Sequence, residues 1–251
     1  MTLTARFETG AAAPVRRPLH VAFACDAAEL AAAQRLRYEV FREAFGAHMH
    51  GAEDGLDRDR FDPFCQHLIV WDADRAVACT RILTSETAPA AGGFYSQDEF
   101  DLAPLLARAG RVMEVGRTCV AAGYRKGPAI GLLWAGIAGF LLERRYHGLI
   151  GCGSISMGPG LGPVRALIRN IHARALVEPA CRVRPLDPLP TYDGVACKPC
   201  PLPPLIAAYL RLGARIAGDA CLDREFMVAD LPIYLAREDV APRYARRFLR
   251  Q

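Results

Sequence analysis

Between Arg111 and Ser154 the chain writes out one supersecondary unit, and it restricts the fold more than anything else in the sequence. Residues 111–120 (RVMEVGRTCV) read as a strand, residues 121–128 as a glycine- and base-containing loop, and Ala129–Tyr146 as a helix. The short apolar run Leu149–Ser154 then reads as a second strand. Two strands joined through a helix run parallel in one sheet, with a right-handed crossover. Part of the sheet is therefore expected to be parallel, in one α/β domain. The uncharged stretch within the unit, Gly127–Leu142, is sixteen residues long and holds four glycines and a proline before Glu143-Arg-Arg145. It falls short of the ~20 apolar residues that span hydrocarbon, so it predicts a buried helix and no membrane span.

The flanking segments extend the sheet. Leu19–Ala24 reads as a strand, and Asp26 with Glu29 three residues on starts a helix that runs to about Phe45. Cys65–Trp71 and Ala76–Leu83 read as a hairpin turned by Asp72-Ala-Asp-Arg75. A long connection, 84–110, follows. Beyond the parallel unit come helices near 162–176 and 203–211, strands Arg215–Leu222 and Phe226–Ala236, and a basic C-terminal helix. The hairpins make the sheet mixed. The expected organisation is a flexible N-terminal arm, 1–18, and one α/β domain, 19–251. Eight prolines and three cysteines mark 179–204 as an irregular loop within it.

Charge says little about partners. The formal net charge is +4, and only Lys126 and Lys198 are lysines among 31 basic residues. That is too weak a bias to imply nucleic acid. Arg6, Glu8, Arg16 and Arg17 break any apolar signal stretch at the start. With nine cysteines, an odd number, the chain reads as a cytoplasmic protein with reduced thiols. Cys197-Lys-Pro-Cys200 lacks a second pair at zinc spacing, and His67 and His147 have no partner at metal-ligand spacing, so no metal site is expected.

The chemistry concentrates in Glu114-Val-Gly-Arg117-Thr-Cys-Val120 and Tyr124-Arg-Lys-Gly127-Pro-Ala129. A loop that feeds the N-terminus of a long helix presents unpaired N–H groups and the positive end of a helix dipole, which suits phosphate. Its spacing matches neither the Walker loop nor the dinucleotide fingerprint. The loop and helix resemble the cofactor motif of the GCN5-related N-acyltransferase superfamily. The Glu114/Arg117 pair, Arg37 with Phe41, Asp59-Arg-Phe-Asp62 and Arg81 resemble the acyl-homoserine-lactone synthases, but Ala47 stands where that group has tryptophan.

Longer segments resemble the bacterial L-ornithine Nα-acyltransferases. They are Arg35-Leu-Arg-Tyr-Glu-Val-Phe41, Arg60-Phe-Asp-Pro-Phe-Cys-Gln-His-Leu-Ile-Val70 and Phe94-Tyr-Ser-Gln-Asp-Glu-Phe-Asp-Leu102, with Ala129-Ile-Gly-Leu-Leu-Trp-Ala-Gly-Ile137, Leu149-Ile-Gly-Cys152, Tyr209-Leu-Arg-Leu-Gly-Ala214 and Pro242-Arg-Tyr-Ala-Arg246. This resemblance covers roughly residues 30–250. It implies the superfamily's α/β fold, a mixed sheet splayed between two parallel strands with pantetheine in the gap. It also implies transfer of a 3-hydroxy fatty acyl group from acyl carrier protein to the α-amine of L-ornithine, giving lyso-ornithine lipid. The phosphopantetheine thioester is then a co-substrate, and no cofactor is bound permanently.

Acyl transfer from a thioester to an amine needs a base for the ammonium, donors for the oxyanion and an acid for the departing thiolate. Glu114 is the candidate base, Arg117 its companion in the catalytic pair and Tyr209 the acid. In a regular strand positions 114 and 117 face opposite sides, so a direct pair between them requires a bulge. A backbone N–H beside Cys119 or Val120 is the candidate oxyanion donor, and Cys119 itself reads as core. For the amino acid, Asp59 or Asp62 suits the side-chain ammonium, Arg37 or Arg81 the carboxylate, and Phe41 the wall. Val120, Arg125, Lys126, Gly127 and Ala129 suit the phosphopantetheine. Two arginine clusters, Arg165, Arg169, Arg174, Arg182 and Arg184, then Arg243, Arg246, Arg247 and Arg250, suit an acidic carrier protein or an anionic membrane surface. Peripheral attachment at the inner membrane is consistent with them. The competing functions are a carrier-protein-dependent synthase of an acyl-homoserine lactone or another N-acyl amino acid, and a non-catalytic acyl-binding module.

Overall fold

A computed structural model describes residues 18–45, 54–224 and 226–240. Residues 1–17, Ala47 and the second arginine cluster lie outside them. The chain opens with β1 (His20–Phe23) and α1 (Ala27–Phe45). Asp26 accepts from the Glu29 N–H at 2.8 Å, and the Glu29 carboxylate accepts from the Cys25 N–H at 2.8 Å. This reciprocal cap starts α1 where the sequence placed it.

β2 (Gln66–Asp72) and β3 (Arg75–Thr84) form the expected hairpin. The connection after β3 is more structured than the sequence implied. It holds two 3-10 turns, a two-residue strand β4 (Phe100–Asp101) and a short helix α2 (Ala103–Ala109). Next come β5 (Val112–Val120), α3 (Ala129–Glu143) and β6 (Gly148–Ser156). α4 (Leu161–Ala175), β7 (Arg184–Pro185) and α5 (Pro204–Leu212) follow.

The strand expected over 215–222 is instead two pieces, β8 (Arg215–Ile216) and β9 (Cys221–Asp223), before β10 (Val228–Ala236). Between them the chain turns to bond Val183, whose carbonyl oxygen approaches the Cβ direction of Gly218 to 2.4 Å. Only glycine tolerates that approach.

The sheet order is β1-β2-β3-β5-β6-β10-β8, with β9 on β10. All pairs are antiparallel except β5–β6. Period-two alternation sends Leu68, Ile82, Met113 and Leu149 to one face, under α3, α4 and α5. Ile69 and Cys79 go to the other, against Ala33 and Leu36 of α1.

The parallel pairing lasts only from Val112↔Gly148 to Glu114↔Ile150. Beyond Glu114 the two strands part, and β6 turns wholly to β10, its partner along all nine residues. The splay therefore begins at Glu114.

Candidate active site

β5 changes face just past that point. Cys79 pairs with Cys119 but Arg81 with Gly116, so two residues of β5, Arg117 and Thr118, oppose the single Thr80. This is a β-bulge. The Thr80 hydroxyl stitches it, donating to the Gly116 carbonyl at 3.1 Å and meeting the Thr118 hydroxyl at 2.7 Å. Arg117 takes a left-handed φ of +51°, a strained conformation for a non-glycine residue. The bulge brings Arg117 onto the wall that Glu114 lines. The two do not pair.

Glu114 is held by the 3-10 turn Tyr95–Asp98. Its Oε2 accepts from the Tyr95 N–H at 2.6 Å, and its Oε1 from the Ser96 N–H at 2.8 Å and the Ser96 hydroxyl at 2.5 Å. Burial pushes its carboxyl up, while the Ser96 and Tyr95 donors act in the opposite sense.

Both strands line a cavity of about 160 Å³ whose wall includes Phe41, Arg81, Glu114, Arg117 and Tyr209. Tyr209, on α5, is fully buried, packs edge-on to Trp134 at 4.9 Å, and has a hydroxyl that no described residue hydrogen-bonds. Burial raises its pKa, so the phenol stays protonated.

Three arginines and three aspartates interlock beside this cavity. Arg37 bonds Asp57 at 2.6 Å and Asp62 at 2.9 Å. Arg81 bonds Asp59 at 2.5 Å and Asp62 at 2.8 Å. Arg117 reaches Asp59 at 3.2 Å and stands 3.6 Å from Asp57. The structure thus places Arg37 (1 % exposed) and Asp62 behind the cavity wall, engaged with each other, rather than facing a ligand. Asp59 bridges Arg81 and Arg117. Asp62 illustrates the electrostatics: burial alone would raise its carboxyl, yet the hydrogen bonds and charge of Arg37, then Arg81, bring it down to about 2.

A second charged group lies across the cavity, and it was not visible in the sequence. Carboxylate oxygens of Glu99, Asp223 and Asp230 lie within 4.8 Å of one another. Burial and the neighbouring carboxylates push Asp230 up to about 6 and Glu99 up to about 8. The three come from a loop, β9 and β10, and no spacing signals their meeting. Ser96 was likewise hidden in the 94–102 segment.

The phosphate-binding candidates lie at the outer end of β5. Arg125, Lys126 and Gly127 are exposed, Val120 is half-buried and Ala129 buried. Arg125 donates to the Val120 carbonyl at 3.3 Å and pairs with Glu43 at 3.2 Å. No side chain caps the N-terminus of α3, so its first-turn N–H groups stay open.

Of the first arginine cluster, Arg165 ties down the irregular segment through Asp219 and the Leu189 and Pro190 carbonyls, whereas Arg169, Arg174, Arg182 and Arg184 are exposed. No helix among the described residues is long and apolar enough to cross a membrane.

Residues 36–135 match the family model described as an acetyltransferase (GNAT) domain. The L-ornithine N(alpha)-acyltransferase of Rhodobacter capsulatus is 33% identical over 257 residues, covering 96% of this chain and 98% of that protein. The protein of the same name from Agrobacterium fabrum is 34% identical over 241 residues, covering 86% and 80%. In fold the chain is similar to a CoA-dependent acyl-homoserine lactone synthase, BjaI, with TM-score 0.54 and 14% identity over 92% of this chain and 88% of that one. The splayed sheet, the cavity that opens at Glu114 and the end-to-end relatives agree: this chain is an N-acyltransferase and belongs to the L-ornithine N(alpha)-acyltransferase family.

Proposed function

We propose that this enzyme transfers a 3-hydroxy fatty acyl group from the phosphopantetheine of acyl carrier protein to the α-amine of L-ornithine, forming lyso-ornithine lipid. The observation that carries the reading is the alignment along β5 of an open helix N-terminus at its outer end and a charged cavity at Glu114. A thioester arm laid in the gap would run from one to the other.

The α-ammonium gives up a proton to Glu114, directly or through the Ser96 hydroxyl. The amine nitrogen then forms a bond to the thioester carbonyl carbon. A β5 N–H beside Cys119 or Val120, turned toward the gap, receives the oxyanion. As the C–S bond breaks, the nitrogen releases its second proton to solvent and the Tyr209 phenol protonates the departing thiolate. The amide remains, and the proton held by Glu114 restores the phenol through solvent. Arg37, Asp59 and Asp62 act from behind by fixing the wall that carries Arg81 and Arg117.

The α-amine is the favoured nucleophile on acidity alone. Its pKa of ~8 lies roughly two units below that of a lysine-like side-chain amine. Purified protein with 3-hydroxyacyl carrier protein and ornithine is expected to yield the Nα-amide, identified by mass-spectrometric fragmentation. A predominantly side-chain amide, or no amide, overturns the assignment.

Only Arg125 and Lys126 add charge at the donor loop, and Arg125 is shared with Glu43. That suits the single phosphodiester of a carrier protein better than the several phosphates of coenzyme A. At equal concentration the carrier-protein thioester is expected to be the better donor in steady-state assays. Faster turnover with acyl-CoA would refute this donor. The exposed Arg169, Arg174, Arg182 and Arg184 provide a basic surface for the acidic carrier or for an anionic membrane.

A further inference from the structure

We infer that the cavity recognises both ends of its amino-acid acceptor, with Arg117 binding the α-carboxylate and Asp230 the distal ammonium. This rests on the reading above, that a diamino acid is the acceptor, and assigns the two poles to residues other than those the sequence suggested.

Arg117 is the least committed of the three arginines in this network. Arg37 spends Nε, Nη1 and Nη2 on Asp57 and Asp62. Arg81 holds two carboxylates on one nitrogen. Arg117 makes one ion-pair hydrogen bond, the long one to Asp59, and its buried Nε has no hydrogen-bond partner among the described residues. Its side chain is also the most exposed of the three, at 22% against 1% and 5%. It lies over the rings of Tyr95 (5.4 Å) and Phe41 (5.9 Å), which hold the guanidinium plane. A planar cation with unused donors, on a cavity wall, is suited to a carboxylate.

Asp230 is the complementary pole. It is 4% exposed and lines the cavity. Ser154, its register partner on β6, donates to Oδ1 at 2.5 Å. Among the described residues nothing donates to Oδ2, and no arginine or lysine pairs with Asp230 or Glu99. A carboxylate buried without an ion-pair partner is costly, and Asp223 beside it adds negative charge. A primary ammonium supplies both the missing charge and the missing donor. Leu205 and Val228 on the same wall offer apolar surface to a three-methylene stem.

The test compares three amines in each variant: ornithine, 1,4-diaminobutane, which lacks the carboxylate, and norvaline, which lacks the distal ammonium. Ratios of kcat/KM within one variant cancel any loss of folded protein. Removing a charge-assisted hydrogen bond is worth about tenfold or more. Arg117→Gln is expected to reduce the preference for ornithine over diaminobutane by at least about tenfold, leaving the preference over norvaline intact. Asp230→Asn, which keeps size and shape, is expected to do the reverse. Calorimetric binding of the same three amines provides the comparison where turnover is too slow to measure.

Wild-type preference for ornithine with both ratios unchanged in the variants overturns the pole assignment but leaves ornithine acylation standing. Wild-type protein that neither binds nor acylates ornithine overturns the underlying reading instead.

Discussion

Asp62→Ala is expected to be among the most destabilising single substitutions in the described structure. Asp62 is 4% exposed and accepts from Arg37, Arg81 and Gln34. Removing it leaves two buried guanidinium groups short of a counter-charge. Breaking a buried pair in this way costs about 3–5 kcal/mol, which is a large share of a typical domain's stability. Denaturant titration should show the midpoint falling with little change in slope. Adding Arg37→Leu should recover part of the loss, because the stranded charge is then removed with its partner.

The pH dependence has a definite sign. The Asp62 carboxyl titrates at about 2 in the folded protein, below its unfolded value of ~3.9. Its stabilisation is therefore present above pH ~4 and lost as pH falls from there toward 2. Asp62→Asn should flatten that acid limb. An unchanged midpoint and an unchanged acid limb would mean that the network contributes nothing.

Glu114→Gln is expected to lower kcat by about 10²–10⁴, the usual contribution of a positioned base, with little change in the apparent affinity for the acyl donor. Gln also removes one of the two oxygens that three donors from Tyr95 and Ser96 now share. Some loss of stability is therefore expected as well. Ser96→Ala separates the two roles. It keeps both backbone hydrogen bonds to Glu114 and deletes only the hydroxyl. If the proton leaves through Ser96, that variant loses kcat while retaining its thermal midpoint. Wild-type kcat in Glu114→Gln would reduce Glu114 to an anchor for the 95–98 turn.

The parts of this protein legible in the sequence are those governed by local rules. The reciprocal cap at Asp26 and Glu29, the Asp72–Arg75 hairpin and the βαβ unit from β5 to β6 were all readable. Hydrophobic periodicity and turn chemistry act over a few residues, so a strand or helix announces itself. Glu114, Arg117 and Tyr209 could be singled out because motif resemblance attaches to short segments.

Tertiary structure alone decided who meets whom. Asp57, Asp59 and Asp62 are close neighbours in sequence, yet the fold turns them onto Arg37, Arg81 and Arg117 from three other elements. Glu99, Asp223 and Asp230 carry no common spacing and converge only because β9 and β10 pair beside the splay. The bulge at Arg117 depends on how β3 registers against β5, which no stretch of β5 encodes. Charge pairing is non-directional along the chain, and its energy depends on burial and distance, quantities that exist only once the sheet has closed around them.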